Sequence, residues 1–237
     1  SQYQPKKKMN QIELHKQIDA LFKIETKNLE KKTVYEIIAT NPDSRDYFFS
    51  KAPIDWITWL DENGFFAILN KEAEDKTRYS FRMPELRYLA RVVEENGDEE
   101  KVVEIMNEVD CVKNFNPEVV DQFLWIAQKL SAKSLTKVIP KIKAENWIGL
   151  MKTFKPTGHT YHLIVKKLAE AKEYESLLLL AEVLLSLNED EKETYFDNYF
   201  ALSDVGYSEI FDALADLEGK YAEKGIDLTI NILKQLA

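Results

Sequence analysis

The architecture of this protein can be read most clearly from residues 84–142, PELRYLARVVEENGDEEKVVEIMNEVDCVKNFNPEVVDQFLWIAQKLSAKSLTKVIPKI. This stretch predicts two successive helix pairs, which open at Pro84 and Pro117 and whose second helices begin near Asp98 and Ala132. Each opening proline precedes a glutamate. The fixed φ of proline suits the first helical turn, and the carboxylate faces the positive end of the helix dipole. Two such pairs in tandem predict an all-α fold, a solenoid of stacked antiparallel helix pairs of the HEAT or armadillo kind.

The spacing of the pairs favours a repeat over an arbitrary helical bundle. Pair starts at Pro84, Pro117 and about Thr157 lie 33 and 40 residues apart, and superposing Ala90 on Ala127 gives an offset of 37 residues. These spacings fall near the periods of roughly 33–47 residues that helical repeats show. Their irregularity is typical of HEAT and armadillo repeats, and the signature residues of the more regular repeat families are not present.

The composition limits the possible classes of protein. Of the 237 residues, 31% are charged and 45% hydrophobic, which is ordinary for a soluble protein, and only seven glycines and seven prolines are present, which favours helices over sheet. The net charge of −9 argues against a general nucleic-acid binder, because phosphate contacts need a basic face. The single cysteine, Cys111, excludes an internal disulfide and fits a reducing, cytoplasmic location. No apolar run approaches the roughly 20 residues that span a membrane, so no membrane partner is predicted.

Three segments are predicted along the chain. Residues 1–8 are polar and basic and form a flexible lead-in. Residues 9–82 form an aromatic-rich N-terminal helical cap region, which includes a charged loop at 67–82. Residues 83–237 form the helical-repeat region. Because the last helix ends without the polar cap that closes a repeat array, we expect this region to be truncated at its C-terminal end.

The packing residues between about residues 45 and 145 carry a resemblance. They are the runs Tyr47-Phe48-Phe49, Trp56, Trp59-Leu60, Gly64-Phe65-Phe66, Met83-Pro84-Glu85-Leu86-Arg87-Tyr88-Leu89, Val102-Val103-Glu104-Ile105 and Asn116-Pro117-Glu118-Val119. This set resembles the N-terminal helical region of large, mostly uncharacterised bacterial multidomain proteins, some of which look like defence or signalling NTPases. Met83 stands where that pattern has tryptophan. The resemblance implies a helical-repeat module of a longer polypeptide and supplies no catalytic residue.

The charge distribution provides the candidate binding residues. Residues 129–172 carry ten lysines and two acidic residues, whereas the segments on both sides are acidic. Four lysines recur at a spacing of four residues, and two arginines lie one helical turn apart upstream: Lys129, Lys133, Lys137, Lys141, Arg87 and Arg91. If the second helices line a concave groove, the lysines point into it and offer a docking stripe for an acidic partner or a nucleic-acid backbone. The alternative is a solvated helix face, with the arginines paired to Glu94 or Glu95.

Other candidate sites are weaker. His159 and His162 share a helix face, but a zinc site needs further ligands and none is nearby, so surface or capping roles are favoured. His15 is predicted to be isolated and exposed. No glycine-rich phosphate loop and no cofactor motif is present. Four aromatic residues are predicted to be core rather than a ligand groove: Trp56, Trp59, Phe65 and Phe66.

These observations predict a non-catalytic interaction or scaffolding module. It would present an extended, charge-patterned surface to another protein or to further domains of its own chain. The alternative is a nucleic-acid-binding helical-repeat module that uses the basic 129–172 segment together with Arg87 and Arg91. An enzyme is the third and least favoured possibility. It would require a pocket that contains carboxylates with perturbed pKa values or the two histidines.

Overall fold

Every regular element that the structure describes is a helix. The structure is a computed structural model, and it describes residues 10–71, 83–109, 117–142, 147, 157–185, 212, 214, 215, 217 and 219–236. The predicted lead-in 1–8 and most of the charged loop, residues 72–82, lie outside the described residues. The α-helices are α1 (Gln11–Leu21), α2 (Lys31–Ile38), α3 (Pro42–Lys51), α4 (Ile57–Glu62), α5 (Pro84–Glu94), α6 (Glu99–Glu108), α7 (Pro117–Ala127), α8 (Ala132–Val138), α9 (Thr157–Glu170), α10 (Tyr174–Leu185) and α11 (Ala222–Leu236). Short 3-10 helices cover Thr26–Asn28, Ile54–Trp56, Ala67–Asn70, Ile139–Lys141 and Gly219–Tyr221.

The helix boundaries follow the predicted entry and exit chemistry. Pro84 and Pro117 are the first residues of α5 and α7, as predicted. The second helices of these pairs are capped by side chains: Asp98 accepts a hydrogen bond from the backbone of Lys101 at 3.0 Å, and Ser131 accepts one from that of Ser134 at 3.2 Å. The α-helical hydrogen bonding of α8 stops at Val138, just before Pro140, because proline lacks the N–H that the next turn needs.

The described helices pack in two rows. In the first row, α1 lies against α3, α3 against α5, α5 against α7 and α7 against α9. In the second row, α4 lies against α6, α6 against α8, and the 3-10 helix that follows α8 lies against α10, which in turn contacts α11. Hairpin pairs such as α5 with α6 and α9 with α10 connect the rows. Buried aliphatic and aromatic residues from both rows form one continuous core.

Three helices of the first row share a pattern that recurs every 38 residues. Four positions of this pattern are buried in all three segments, the last of them in the turn after α7: Glu85, Phe123 and Tyr161; Tyr88, Ile126 and Ile164; Leu89, Ala127 and Val165; and Val92, Leu130 and Leu168. A fifth position is exposed in all three helices, at Arg87, Trp125 and Leu163. The offset is one residue longer than the superposition of Ala90 on Ala127 predicts. The predicted spacings between helix starts were irregular because α7 begins at Pro117, five residues before the position that is equivalent to Pro84.

The turn that closes the helix repeats as well, two periods apart. Asn96 after α5 and Lys172 after α9 are separated by 76 residues, and both have a positive φ of 58°. Each turn is closed by a hydrogen bond from an N–H to the carbonyl five residues earlier. Gly97 N–H donates to the Val92 carbonyl at 2.7 Å, and Glu173 N–H donates to the Leu168 carbonyl at 2.9 Å. This left-handed closure satisfies carbonyls that would otherwise lack a partner at the helix end.

The N-terminal aromatic cluster is core, as predicted. Trp56, Phe65 and Phe66 are buried, and Trp59 packs against them at the edge. Helices on the two sides of the predicted boundary at 82/83 are in direct contact, since the Tyr88 hydroxyl of α5 donates to the Pro53 carbonyl at 2.6 Å. The cap region and the helices that follow therefore share one packed interior.

Candidate interaction surface

Arg91 is engaged inside the chain. Its Nη1 and Nη2 donate to the carbonyls of Phe49 and Ala52, both at 2.9 Å, where α3 ends. Its Nε lies 3.4 Å from a Glu95 carboxylate oxygen, which agrees with the predicted alternative of pairing with a neighbouring acid. Because the last carbonyls of a helix have no partner within it, the Arg91 guanidinium serves as a C-terminal cap for the preceding helix of the row.

Lys129 and Lys167 occupy the same position as Arg91, one and two periods later. The Lys129 ammonium lies 2.6 Å from a Glu94 carboxylate oxygen at the end of α5. The Lys167 ammonium donates to the Leu130 carbonyl at 2.8 Å and also to the Gln128 carbonyl, at the end of α7. Burial lowers the pKa of Lys167. A basic residue at this position therefore ties each of α5, α7 and α9 to the C-terminal end of the first-row helix before it.

The four predicted lysines do not form one helical stripe. Lys129 lies in the turn after α7, Lys133 and Lys137 lie on α8, and Lys141 lies in the 3-10 helix that follows α8. The four-residue spacing thus crosses three separate elements. Lys141 is half-buried and close enough to Glu108 to act on its carboxylate. Of the four, only Lys133 and Lys137 are exposed, and neither has an ion pair within the described part of the chain.

Exposed side chains line up across the first row. Arg87, Trp125 and Leu163 occupy the position that is exposed in all three of α5, α7 and α9, and we term them the outer ridge. The Trp125 side chain is 40% exposed and that of Leu163 36%. Contacts of Lys129 and Lys167 join the C-terminal ends of neighbouring helices, so the three helices run parallel. Neighbouring packed helices are about 8–10 Å apart, so the outer ridge extends about 20 Å.

Trp125 is held in place by its neighbours. The Lys129 ammonium lies 4.3 Å from the centroid of the Trp125 ring, within the range of a cation–π interaction, while the same ammonium pairs with Glu94. Leu163 has the exposed Lys166 one turn ahead on the same face of α9. The ridge therefore combines a fixed indole and an aliphatic side chain with cations, and sequence patterning alone did not identify it.

A second cluster is acidic and lies between α4 and α6. Carboxylate oxygens of Asp61, Glu104 and Glu108 lie within 4.8 Å of one another. The Lys101 ammonium is 2.8 Å from Asp61 and 3.1 Å from Glu104, so a protein cation already sits among them. The hydrogen bond to Asp61 raises the pKa of Lys101, and burial followed by repulsion from Asp61 and Glu104 raises the pKa of Glu108. No sequence pattern indicated this cluster, because its members come from two helices.

The histidines do not converge on one site within the described residues. The sequence predicted an isolated His15, but the structure places it in contact with α3. Its ring stacks on Tyr47 with centroids 3.7 Å apart, and its Nε2 lies 3.0 Å from an Asp43 carboxylate oxygen. The His162 side chain is half-buried on α9, and that of His159 lies outside the described residues. The tertiary packing of α1 on α3 creates the His15 contacts, which no local pattern predicts.

Comparisons of this chain with protein-family models, with curated proteins and with solved structures find no match. The resemblance to bacterial multidomain proteins therefore stays a prediction. Among the helices that the structure describes, none combines the length and the apolar content needed to cross a bilayer.

Proposed function

We propose that this protein is a non-catalytic helical-repeat module that binds an acidic protein segment along the outer ridge. The observation that carries the proposal is the 38-residue recurrence of buried, basic and exposed positions in α5, α7 and α9. That period lies within the range of about 33–47 residues for helical repeats, which supports a solenoid of the HEAT or armadillo kind. Repeats of this kind present equivalent positions side by side and so build extended binding surfaces.

The chemistry of the outer ridge defines the partner. Trp125 and Leu163 offer apolar contact area, and Arg87 and Lys166 add positive charge beside them. Glu94, at the end of α5, is already paired with Lys129. A partner that complements this surface carries two apolar side chains flanked by carboxylates. It belongs to another cytoplasmic protein or to a further domain of the same bacterial polypeptide.

Trp125 is the expected anchor of the complex. Tryptophan dominates many interfaces because it buries a large area while losing little conformational freedom. Here the contact with Lys129 fixes the indole before binding, so less entropy is lost when the partner arrives. The flanking cations then set the specificity and the association rate more than the affinity.

Selection of peptides from a random phage-displayed library tests this proposal. The protein is immobilised, and bound peptides are compared with those retained by a Trp125→Ser/Leu163→Ser double variant. An Ile12→Ser variant is the matched control, since Ile12 is an exposed apolar side chain on α1, outside the ridge. We expect acidic peptides with aromatic or aliphatic residues, retained by the control and lost by the double variant. Enrichment that is the same for all three proteins would refute the proposal.

A nucleic-acid-binding module is the second candidate. It is favoured by the exposed Lys133 and Lys137 on α8 and by the indole of Trp125, on which a base could stack. Binding of a labelled oligonucleotide at low and high salt separates the two functions, because phosphate contacts weaken steeply as salt rises. Tight, salt-sensitive binding that a Lys133→Glu/Lys137→Glu variant abolishes would replace the first proposal with this one.

A further inference from the structure

A pocket lies between α2, the turn after α4 and the start of α5, and no residue of the outer ridge lines it. Its volume is about 330 Å³. Its walls are mainly apolar and come from Tyr35, Ile38, Ala39, Phe65 and Ile68. Ligand pockets commonly measure about 300–1,000 Å³ and combine apolar walls with a few convergent polar groups. In size and lining, this cavity matches a site for a small molecule.

Two of the charged groups that line the pocket neutralise each other. The Arg45 guanidinium donates to Glu85 through Nε and Nη2, and both bonds measure 2.7 Å. The Glu85 side chain is only 4% exposed and that of Arg45 is 19% exposed. Such a two-point ion pair has a fixed geometry and contributes no net charge to the cavity. It therefore forms a rigid polar boundary beside the apolar walls.

The third charged group is Lys31, and it has no compensating partner. It is the first residue of α2 and lines the same pocket, but within the described residues it makes no hydrogen bond or ion pair. Its ammonium lies 3.9 Å from where a side chain on Gly64 would begin. Gly64 has a φ of 77°, which favours glycine, and its missing side chain leaves space beside the ammonium. The lining of the pocket thus carries one net positive charge.

We propose that this pocket binds a small organic monoanion, with its apolar body against the walls and its carboxylate on Lys31. Water occupies about 30 Å³ per molecule in the liquid, so the cavity holds the equivalent of about eleven waters, or a ligand of roughly ten heavy atoms. A cationic ligand would place its charge beside the Lys31 ammonium, whereas an anionic one can accept a charge-assisted hydrogen bond from it. Asn63 also lines the pocket, but the larger apolar part of the walls favours a hydrocarbon body over a sugar or a nucleotide.

Octanoate is the probe that matches these requirements, with octylamine as its cationic counterpart. Binding to the full chain is followed by calorimetry and by NMR shifts. Lys31→Glu reverses the charge that we assign to carboxylate recognition, and Ala39→Trp fills the cavity from an exposed position at the end of α2. Lys32→Glu is the matched control, because Lys32 is the adjacent lysine, is 86% exposed and does not line the pocket.

We expect octanoate to bind once per chain, at least tenfold more weakly in Lys31→Glu and Ala39→Trp, and unchanged in Lys32→Glu. Octylamine should not bind. Absence of saturable octanoate binding, equal losses in Lys31→Glu and Lys32→Glu, or equally tight binding of octylamine would overturn the assignment. The outer-ridge double variant should bind octanoate normally, so this outcome is independent of the proposed partner surface.

Discussion

Replacing Arg91 by methionine tests the inference that this side chain caps the preceding helix. Arg91 donates two hydrogen bonds of 2.9 Å to the carbonyls of Phe49 and Ala52, and its side chain is 26% exposed. A hydrogen bond that involves a charged group contributes about 1.5–3 kcal/mol, and partial exposure places each of these at the lower end. Methionine keeps the packing of the aliphatic part. We therefore expect a loss of about 3 kcal/mol in the free energy of unfolding.

The assay is urea and thermal unfolding followed by circular dichroism. For a chain of this size, each kcal/mol shifts Tm by about 2–4 °C, so Arg91→Met should lower Tm by about 6–12 °C. Arg87→Met is the matched control, one turn earlier on the same helix and exposed, and it should change stability by less than about 0.5 kcal/mol. Arg91→Lys should lose about half as much as Arg91→Met, because lysine can reach one carbonyl well. Equal effects of the methionine variants at 87 and 91 would refute the capping role.

Three further predictions concern the turns and the buried charges. Lys172→Gly should stabilise the protein by roughly 0.5–1 kcal/mol, because a residue other than glycine or asparagine is strained at positive φ, whereas Asn96→Gly should be nearly neutral. Burial raises the pKa of Glu85, so the folded protein binds a proton at this carboxyl more tightly than the unfolded chain does. The contribution of Glu85 to the free energy of unfolding is therefore complete below its unfolded pKa and falls as pH rises through the raised folded pKa. Glu85→Gln should remove that slope. Lys101→Met should cost about 1–3 kcal/mol at neutral pH, because it leaves Asp61 facing other carboxylates, and less in acid.

Each of these predictions can fail clearly. A destabilised Lys172→Gly variant would mean that the lysine side chain makes a contact that outweighs backbone strain. A stability profile of Glu85→Gln parallel to that of the unmodified chain over mildly acidic pH would show that Glu85 does not titrate differently on folding. An effect of Lys101→Met that is as large in acid as at neutral pH would indicate lost packing rather than carboxylate repulsion. Chemical denaturation across pH provides all three measurements.

The local features of the fold were predictable because their causes lie within a few residues. Pro84 and Pro117 begin helices as predicted, since proline needs no N–H in the first turn. Pro140 stops α8 for the complementary reason. Apolar residues recur at helical spacing, so the pattern in α5, α7 and α9 also indicated part of the buried face of each helix. A helix period can be read without knowing which helices are neighbours.

The candidate site depended on contacts that the sequence does not encode locally. The four-residue spacing of Lys129, Lys133, Lys137 and Lys141 predicted one stripe, but a turn and a 3-10 helix separate them. The role of Lys129 could not be foreseen, because its partner, Glu94, lies on a different helix. Only the observed burial distinguished the 38-residue offset from the neighbouring offset of 37 residues, and that offset identified Arg87, Trp125 and Leu163 as equivalent.

Residue order was enough to predict a helical chain, the residues at which several helices begin and end, and the apolar faces of those helices. These properties follow from short-range sterics, backbone hydrogen bonding and hydrophobic periodicity. Tertiary structure alone decided which charges are neutralised and which remain available. Arg91 and Lys129 bind helix-end carbonyls and an acid that lie 35–42 residues away in the chain, and Arg45 binds Glu85, 40 residues away. The strength of a charge interaction depends on distance and burial in space, and neither quantity is set by separation along the chain.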